Sequence, residues 1–378
     1  MKICIVHAGR RDGYFLCDIF SKYNVHLVTD YYNNNNFFSK ILTLIGLNVY
    51  VRESKNKELI VHYNLGLLSL QFLEFFLKRN STVYKLRSKL LAKLFLKQNK
   101  KENFDIVIFY YNSGATYAFR DKSLTCKKIL FQMHPHPKFT LDKYNNYLAN
   151  KNSYPYIKLK DEEEEFNSDE LYLKNLNDEL YLADKVIVTS SITEDSIIKL
   201  VSKEKIINIP YPRLNKVSKS VKYNIDGRVN INFVGQYVVR KGIHELVEFV
   251  KSSDDYHLTI YTRDRVTLNH PNITVKKNLP SDIVWNEIQQ RGHYLILNSL
   301  IEGFGLVLIE SIENSTPILS TKNSIAQDII EQGKINGFLY EDISFLKNNL
   351  NDIKHANLKL RYNVDFSEYQ RILCERIL

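Results

Sequence analysis

Two α/β domains, each built around a parallel sheet, are what this sequence predicts, and three observations carry the prediction. Short apolar runs of strand length alternate with helical spacing along most of the chain, the pattern of sheets covered on both faces. The 378 residues, 44% of them apolar, can bury a sizeable core and exceed the usual size of one domain. The first strand of each half runs into a loop and then a helix, the place where open α/β sheets bind ligands.

Residues 2–7 read as the first strand, and Ala8-Gly9-Arg10-Arg11-Asp12-Gly13 as the turn into a helix that reaches Phe20. The spacing of that turn matches neither a dinucleotide fingerprint nor a P-loop, so Arg10 and Arg11 read equally as a basic surface. Residues 31–36 are a polar loop to which no chemistry is assigned. Residues 75–101 contain no acid, and Lys85, Lys89, Lys93 and Lys97 recur at every fourth position. They line one side of a helix whose apolar side is Leu86, Leu90 and Leu94, with Leu91 and Phe95 beside them. Such a helix either packs on the sheet with its lysines solvated or lies on an anionic membrane surface.

Residues 104–111 and 128–132 are buried-strand candidates, and the second leads into Met133-His134-Pro135-His136-Pro137, which the prolines are expected to hold extended. The acidic run 161–165 is expected to open a helix toward Leu182, where acids suit the dipole. In residues 183–191 a strand ends in serines, and Ser190 or Ser191 is expected to cap the next helix. A strand at 206–209 precedes Pro210-Tyr211-Pro212-Arg213, and the linker is placed at 210–225. The expected domains are 1–215 and 216–365, with a terminal helix, 366–378, that crosses back to the first.

In the second half, residues 229–235 form a strand, and Ile243, Leu246, Val247 and Val250 keep helical spacing beyond it. The loop between them, Gln236-Tyr237-Val238-Val239-Arg240-Lys241-Gly242, sets two cations beside free helix-start N–H groups, an anion site. Further strands are expected at 257–262, 272–276, 293–297, 317–320 and 337–341.

Composition narrows the function classes. A formal charge of +10 implies an anionic partner: nucleic acid, a membrane surface or a phosphorylated substrate. No nucleic-acid motif accompanies the charge. Four scattered cysteines have neither metal-ligand nor redox spacing, and no apolar run approaches the roughly 20 residues of a membrane span. The opening apolar run is too short for a signal peptide, so a cytoplasmic protein is expected.

The chemistry concentrates in Glu302-Gly303-Phe304-Gly305-Leu306-Val307-Leu308-Ile309-Glu310. Glu302 falls in a loop leaving a strand, and Glu310 more than a turn into the next helix. Gly303 and Gly305 free the backbone to approach a ligand. Each glutamate alone also reads as a solvated side chain, but a solvated helix needs neither the glycines nor a carboxylate in its entry loop.

This stretch resembles the paired-glutamate motif of retaining nucleotide-sugar glycosyltransferases of family 4, which have the GT-B fold. Asn314-Ser315-Thr316-Pro317-Ile318-Leu319 and Ile335-Asn336-Gly337-Phe338-Leu339 are similar to further segments of that family. The resemblance implies two doubly wound Rossmann-like domains facing across a cleft. It implies that Lys241 and Gly242, helped by Arg240, hold donor phosphate. It also implies that Glu302, with Gly303, Phe304 and Gly305, faces the donor sugar, and that Glu310 takes ribose hydroxyls. His134, or else His136, would support the sugar from the opposite domain, and Gly9 would lie in the loop at the cleft.

Three departures stand beside it. Gln236 occupies the place of an expected arginine, so a donor with one phosphate fits the reduced charge at least as well. Tyr261-Thr262-Arg263 replaces a glycine-containing segment, and Gln327 stands where an acid is expected. The absence of any Asp-x-Asp sequence disfavours a metal-holding GT-A enzyme, and no metal or other cofactor is expected. The expected reaction is sugar transfer, with retention, to a hydroxyl of a glycan or glycolipid, as in bacterial surface polysaccharide or lipopolysaccharide synthesis at the inner face of the cell membrane. The alternatives are an epimerase or hydrolase of the same fold, which would turn over the donor without an acceptor, and a non-catalytic membrane-associated partner.

Overall fold

A computed structural model describes residues 1–7, 13–29, 59–62, 81–150, 170–212 and 217–378. Gly9, Arg10 and Arg11, the polar loop 31–36, residues 75–80 and the acidic run 161–165 lie outside the described residues.

Strands β1 (Lys2–His7), β2 (Asn24–Thr29), β3 (Ile60–His62), β4 (Ile106–Tyr110), β5 (Lys127–Gln132), β6 (Lys185–Val188) and β7 (Ile206–Asn208) form one parallel sheet in the order β3-β2-β1-β4-β5-β6-β7. After β8 (Val217–Lys222) come β9 (Val229–Val234), β10 (Tyr256–Thr262), β11 (Ile273–Lys277), β12 (Tyr294–Leu297), β13 (Ile318–Thr321) and β14 (Gly337–Tyr340). These form a second parallel sheet, β11-β10-β9-β12-β13-β14. The chain is thus α/β with two doubly wound sheets. Both orders reverse direction once, between β1 and β4 and between β9 and β12, and ligands bind outside the carboxyl ends of strands at such points.

The sequence explains why these strands are central. Ile108, Ile129 and Phe131 on one face, and Val107, Phe109 and Leu130 on the other, are all buried, as parallel strands covered by helices require. Each such side chain contributes about 1.5–3 kcal/mol when fully buried.

The helix Ser81–Glu102 covers one face of the first sheet. Leu91, Ala92, Leu94 and Phe95 are its buried side, and Phe95 meets Phe109 edge to face at 5.3 Å. Leu86, expected on the apolar side, is instead 47% exposed, because the packed stripe is centred on Leu91 and Phe95. Lys89, Lys93 and Lys97 are exposed, with Lys89 Nζ over the Tyr117 ring, 5.4 Å from its centre. Among the described residues no helix is long and apolar enough to cross a membrane.

Two further differences from the sequence reading have local causes. Pro137 does not extend the loop after β5 but begins the helix Pro137–Asn150, where its missing N–H costs nothing. Residues 217–222, placed in a linker, are the strand β8, which pairs antiparallel with β15 (Asn357–Tyr362) as a two-stranded ribbon outside both sheets.

The chain passes between the halves twice. The first passage follows β7, and the second follows β15 into the helix Phe366–Ile377. Asp365 caps that helix by accepting from the Glu368 N–H at 2.7 Å. Tyr369, Leu373 and Ile377 are buried along it, and its outer atoms meet the first half: Gln370 donates to the Ile19 carbonyl, and Lys127 donates to the Ile377 carbonyl at 2.5 Å. The Tyr362 hydroxyl donates to the Tyr211 carbonyl and so ties the two passages together.

Candidate active site

The second sheet places its cations first. After β9 the chain makes a short 3₁₀ turn, Val239–Lys241, and Gly242 follows with φ +63° before the helix Ile243–Lys251. A Cβ at Gly242 would collide with the backbone carbonyl of Asn298, so only glycine lets this turn lie against the chain leaving β12. Leu300 N–H donates to the Arg240 carbonyl at 2.8 Å, and Asn298 donates to the Gly242 carbonyl at 2.9 Å. The two loops at the reversal of the sheet are therefore one bonded unit.

Glu302 enters this unit from the β12 side. It is 9% exposed and pairs through Oε2 with Arg240 Nη1 at 3.3 Å and with Lys241 Nζ. Burial opposes its charge, but the Lys241 ammonium, then the Arg240 guanidinium and the His134 imidazole, outweigh burial and hold the carboxyl at about 2. Burial draws the Lys241 pKa down, and Glu302 restores it only in part. The site is thus two largely desolvated cations around one buried carboxylate.

The first half closes over it. The loop leaving β5 meets Gly303: a Cβ there would run into the Met133 carbonyl oxygen and lie 3.0 Å from Nδ1 of His134. His134 is exposed beside Glu302, whereas His136 is buried and its backbone N–H donates to Ser196 at 2.9 Å. Of the two histidines, His134 is the one at the cleft. Beside it, Ser190 Oγ donates to the Gly303 carbonyl at 2.5 Å.

Other expected residues fall as follows. Gly305 has φ +81° and precedes the helix Leu306–Glu313, on which Glu310 is half-buried. The Phe304 ring is buried and packs edge to face on Tyr211 at 5.1 Å, between the two halves. Gln236 is exposed at the start of its loop. Gln327 donates to the Ser191 hydroxyl, and the adjacent Asp328 accepts from the Ser191 N–H at 3.0 Å. Gly9 lies outside the described residues.

Sequence reasoning missed Asp264, whose Oδ2 accepts from the Tyr237 N–H at 2.5 Å and from the Thr262 hydroxyl at 3.3 Å, fixing the cation loop. The signal was available: an acid just past β10, the strand beside β9. Among the described residues no group of three or more His, Cys, Asp or Glu side chains is arranged to hold a metal.

Comparison with known proteins bears on this arrangement. Residues 218–365 match the family model described as glycosyl transferases group 1. An uncharacterized glycosyltransferase of Methanocaldococcus jannaschii is 28% identical over 247 residues, which cover 61% of this chain and 65% of that relative, just under two thirds of its length. A lipopolysaccharide outer core galactosyltransferase, WaaB, in its apo form, superposes with TM-score 0.58 at 15% identity, covering 100% of this chain and 95% of that one. The sucrose-phosphate synthase of Thermosynechococcus elongatus gives TM-score 0.59 at 14% identity over the same shares, 100% and 95%. Anabaena HepE, in complex with UDP and glucose, gives 0.51 at 13% identity, again over 100% and 95%. At these identities the three likenesses show the fold, and it is that of GT-B glycosyltransferases.

Proposed function

We propose, from the match of residues 218–365 to the group 1 glycosyltransferase model, that this chain is a member of that family and moves a sugar from a nucleotide-sugar donor to an acceptor hydroxyl with retention at the anomeric carbon. The observation that carries the reading is the cluster of Arg240, Lys241 and Glu302 at the reversal of the second sheet, covered from the first half by His134.

The chemistry follows from the charges. The bond between sugar and phosphate breaks as the phosphate gains negative charge and the sugar gains oxocarbenium character. Lys241 and Arg240 are fixed cations in a largely dry site, so they stabilise the leaving phosphate without reorganising. Glu302, ionised at any physiological pH, offers its carboxylate to the electron-poor sugar. Glu310, at a half-buried position on the following helix, is assigned to the ribose hydroxyls. Residues 216–365 make the donor side and residues 1–215 the acceptor side, with His134 supporting the sugar from there.

The acceptor we propose is a glycan or glycolipid of bacterial surface polysaccharide or lipopolysaccharide synthesis, reached at the cytoplasmic face of the membrane. Exposed Lys89, Lys93 and Lys97 and the exposed Leu86 on the helix Ser81–Glu102 support that placement. UDP-, GDP-, dTDP- and CMP-sugars compared by thermal shift test the donor, since a ligand of the native state raises its melting temperature by mass action. A shift with at least one of them is expected, abolished in Lys241→Met. No shift with any would overturn the reading.

A further inference from the structure

The loop that carries Glu302 is gripped by the opposite half of the molecule through Ser190. Ser190 follows β6 in the first half, is fully buried, and takes the extended backbone of an N-cap for the helix Ser191–Ile197. Its oxygen accepts from the Thr193 N–H at 3.3 Å, the ordinary capping bond. Its proton goes elsewhere, to the carbonyl of Gly303 at 2.5 Å. The Thr193 hydroxyl stands 3.0 Å from Ser190 Oγ and 3.5 Å from the same carbonyl. Gly303 is the residue after Glu302, so the carbonyl held here is one peptide from the reacting carboxylate.

The other side of Gly303 is filled as well. With the Met133 carbonyl and His134 lying where its Cβ would be, the peptide cannot shift toward that side. The same helix start makes a second attachment through Ser191, to Asp328 and Gln327. A cap needs one acceptor, and neither the cap nor the fold of the first half requires a proton donated 113 residues along the chain.

We infer that Ser190, seconded by Thr193, is a positioning residue that sets the Glu302 loop from across the cleft, so that the carboxylate reaches its working place only when the halves are closed. The role rests on the proposed transferase reading for its catalytic consequence, but its geometric consequence is independent of it. Opening the cleft leaves the Gly303 carbonyl without its donors, and loss of those donors favours the open arrangement. Misplacement of a reacting group by about 1 Å can cost about a hundredfold in rate.

The test separates the cap from the grip. Ser190→Gly keeps a residue acceptable at an N-cap and removes the hydroxyl, and Thr193→Val removes the second donor at similar volume. Wild type, both single variants, the double variant and Ser190→Thr are compared in two ways. Release of UDP from UDP-glucose gives kcat and KM, and small-angle X-ray scattering gives the radius of gyration. The double variant is expected to lose about a hundredfold in kcat with little change in KM. It is also expected to show a larger radius of gyration than wild type with an unchanged circular dichroism spectrum. Ser190→Thr, which keeps a hydroxyl, should restore both. A double variant with wild-type kcat, or one whose radius of gyration is unchanged, overturns the inference. Where wild type releases no UDP from UDP-glucose, that donor is excluded and the radius of gyration alone decides.

Discussion

Arg240 Nη1 and Glu302 Oε2, from loops 62 residues apart in sequence, lie 3.3 Å from each other, and Lys241 shares the same carboxylate oxygen. The cations proposed to hold phosphate and the carboxylate proposed to face the sugar are therefore one electrostatic unit. A donor phosphate has to compete with Glu302 for Lys241, so substitutions at the three positions are expected to be non-additive.

Glu302→Gln is expected to lower kcat/KM for transfer by about a hundredfold or more, since it removes a preorganised charge from a dry site. It also leaves Lys241 and Arg240 without their counter-charge, and breaking a buried pair costs about 3–5 kcal/mol. Adding Lys241→Met should recover part of that stability while leaving the enzyme inactive. Chemical denaturation of the single and double variants measures it, and strictly additive losses would show that the pair is not coupled.

The acid limb of stability follows from the same carboxylate. Its folded pKa, about 2, lies below the ordinary 4.5, so its contribution is complete above pH 4.5 and is lost as pH falls toward 2. The difference corresponds to about 3 kcal/mol. Urea titrations between pH 5 and 2.5 should show a shallower decline for Glu302→Gln than for wild type.

Glu179 is expected to act in the opposite sense. It is buried in the helix Glu170–Leu182, and although the N–H groups of Asn112 and Thr116 bond to it, burial raises its pKa to about 7. The native state then holds a proton that the unfolded state has lost, so stability falls as pH rises from 4.5 through 7, by about 3 kcal/mol in full. Glu179→Gln should flatten the pH dependence between 5 and 8. An unchanged slope would place its ionisation at the ordinary value.

Transfer is expected to survive EDTA. On the proposed reading the cations facing the leaving phosphate are Lys241 and Arg240, which chelation does not remove. Activity lost with EDTA and regained with Mn²⁺ or Mg²⁺ would count against this assignment.

Membrane attachment is expected to depend on Lys89, Lys93 and Lys97. Lys85 is half-buried beside Glu179 and belongs to the packing there rather than to the outer surface. Changing the three exposed lysines to Gln should release the protein from anionic phospholipid vesicles. Wild-type binding should weaken at high salt, since exposed charges are screened within about 8 Å at physiological ionic strength. Wild type that stays in the supernatant at low salt would leave this helix as packing alone.

What was legible in the sequence was mostly local. The strand, loop and helix around Arg240 and Lys241, and the glycine-flanked Glu302, are local patterns, and the structure brings them together because β9 and β12 are neighbours. The ribbon of β8 and β15 was not legible. Asn357-Leu358-Lys359-Leu360-Arg361-Tyr362 does alternate, but its partner Val217–Lys222 is polar apart from Val217 and Val221 and lies far away in sequence. The contacts of Ser190 with Gly303 and of Ser191 with Asp328 join residues whose proximity only the packing of two halves creates. His134 was put ahead of His136 only by resemblance, because both follow the same strand, and it is burial that separates them.

The pair of passages tied by Tyr362 and Tyr211 limits how the halves can move. A single connection would act as a swivel, free in three rotations. Two adjacent connections joined by a hydrogen bond are expected to act as a door hinge, since rotation about their common line bends both equally and keeps the bond. Opening and shutting is thus the expected soft motion, one that would carry Glu302 toward or away from His134. A lesion in the helix Phe366–Ile377, remote from every reacting group, would unseat one leaf of that hinge and degrade turnover through alignment.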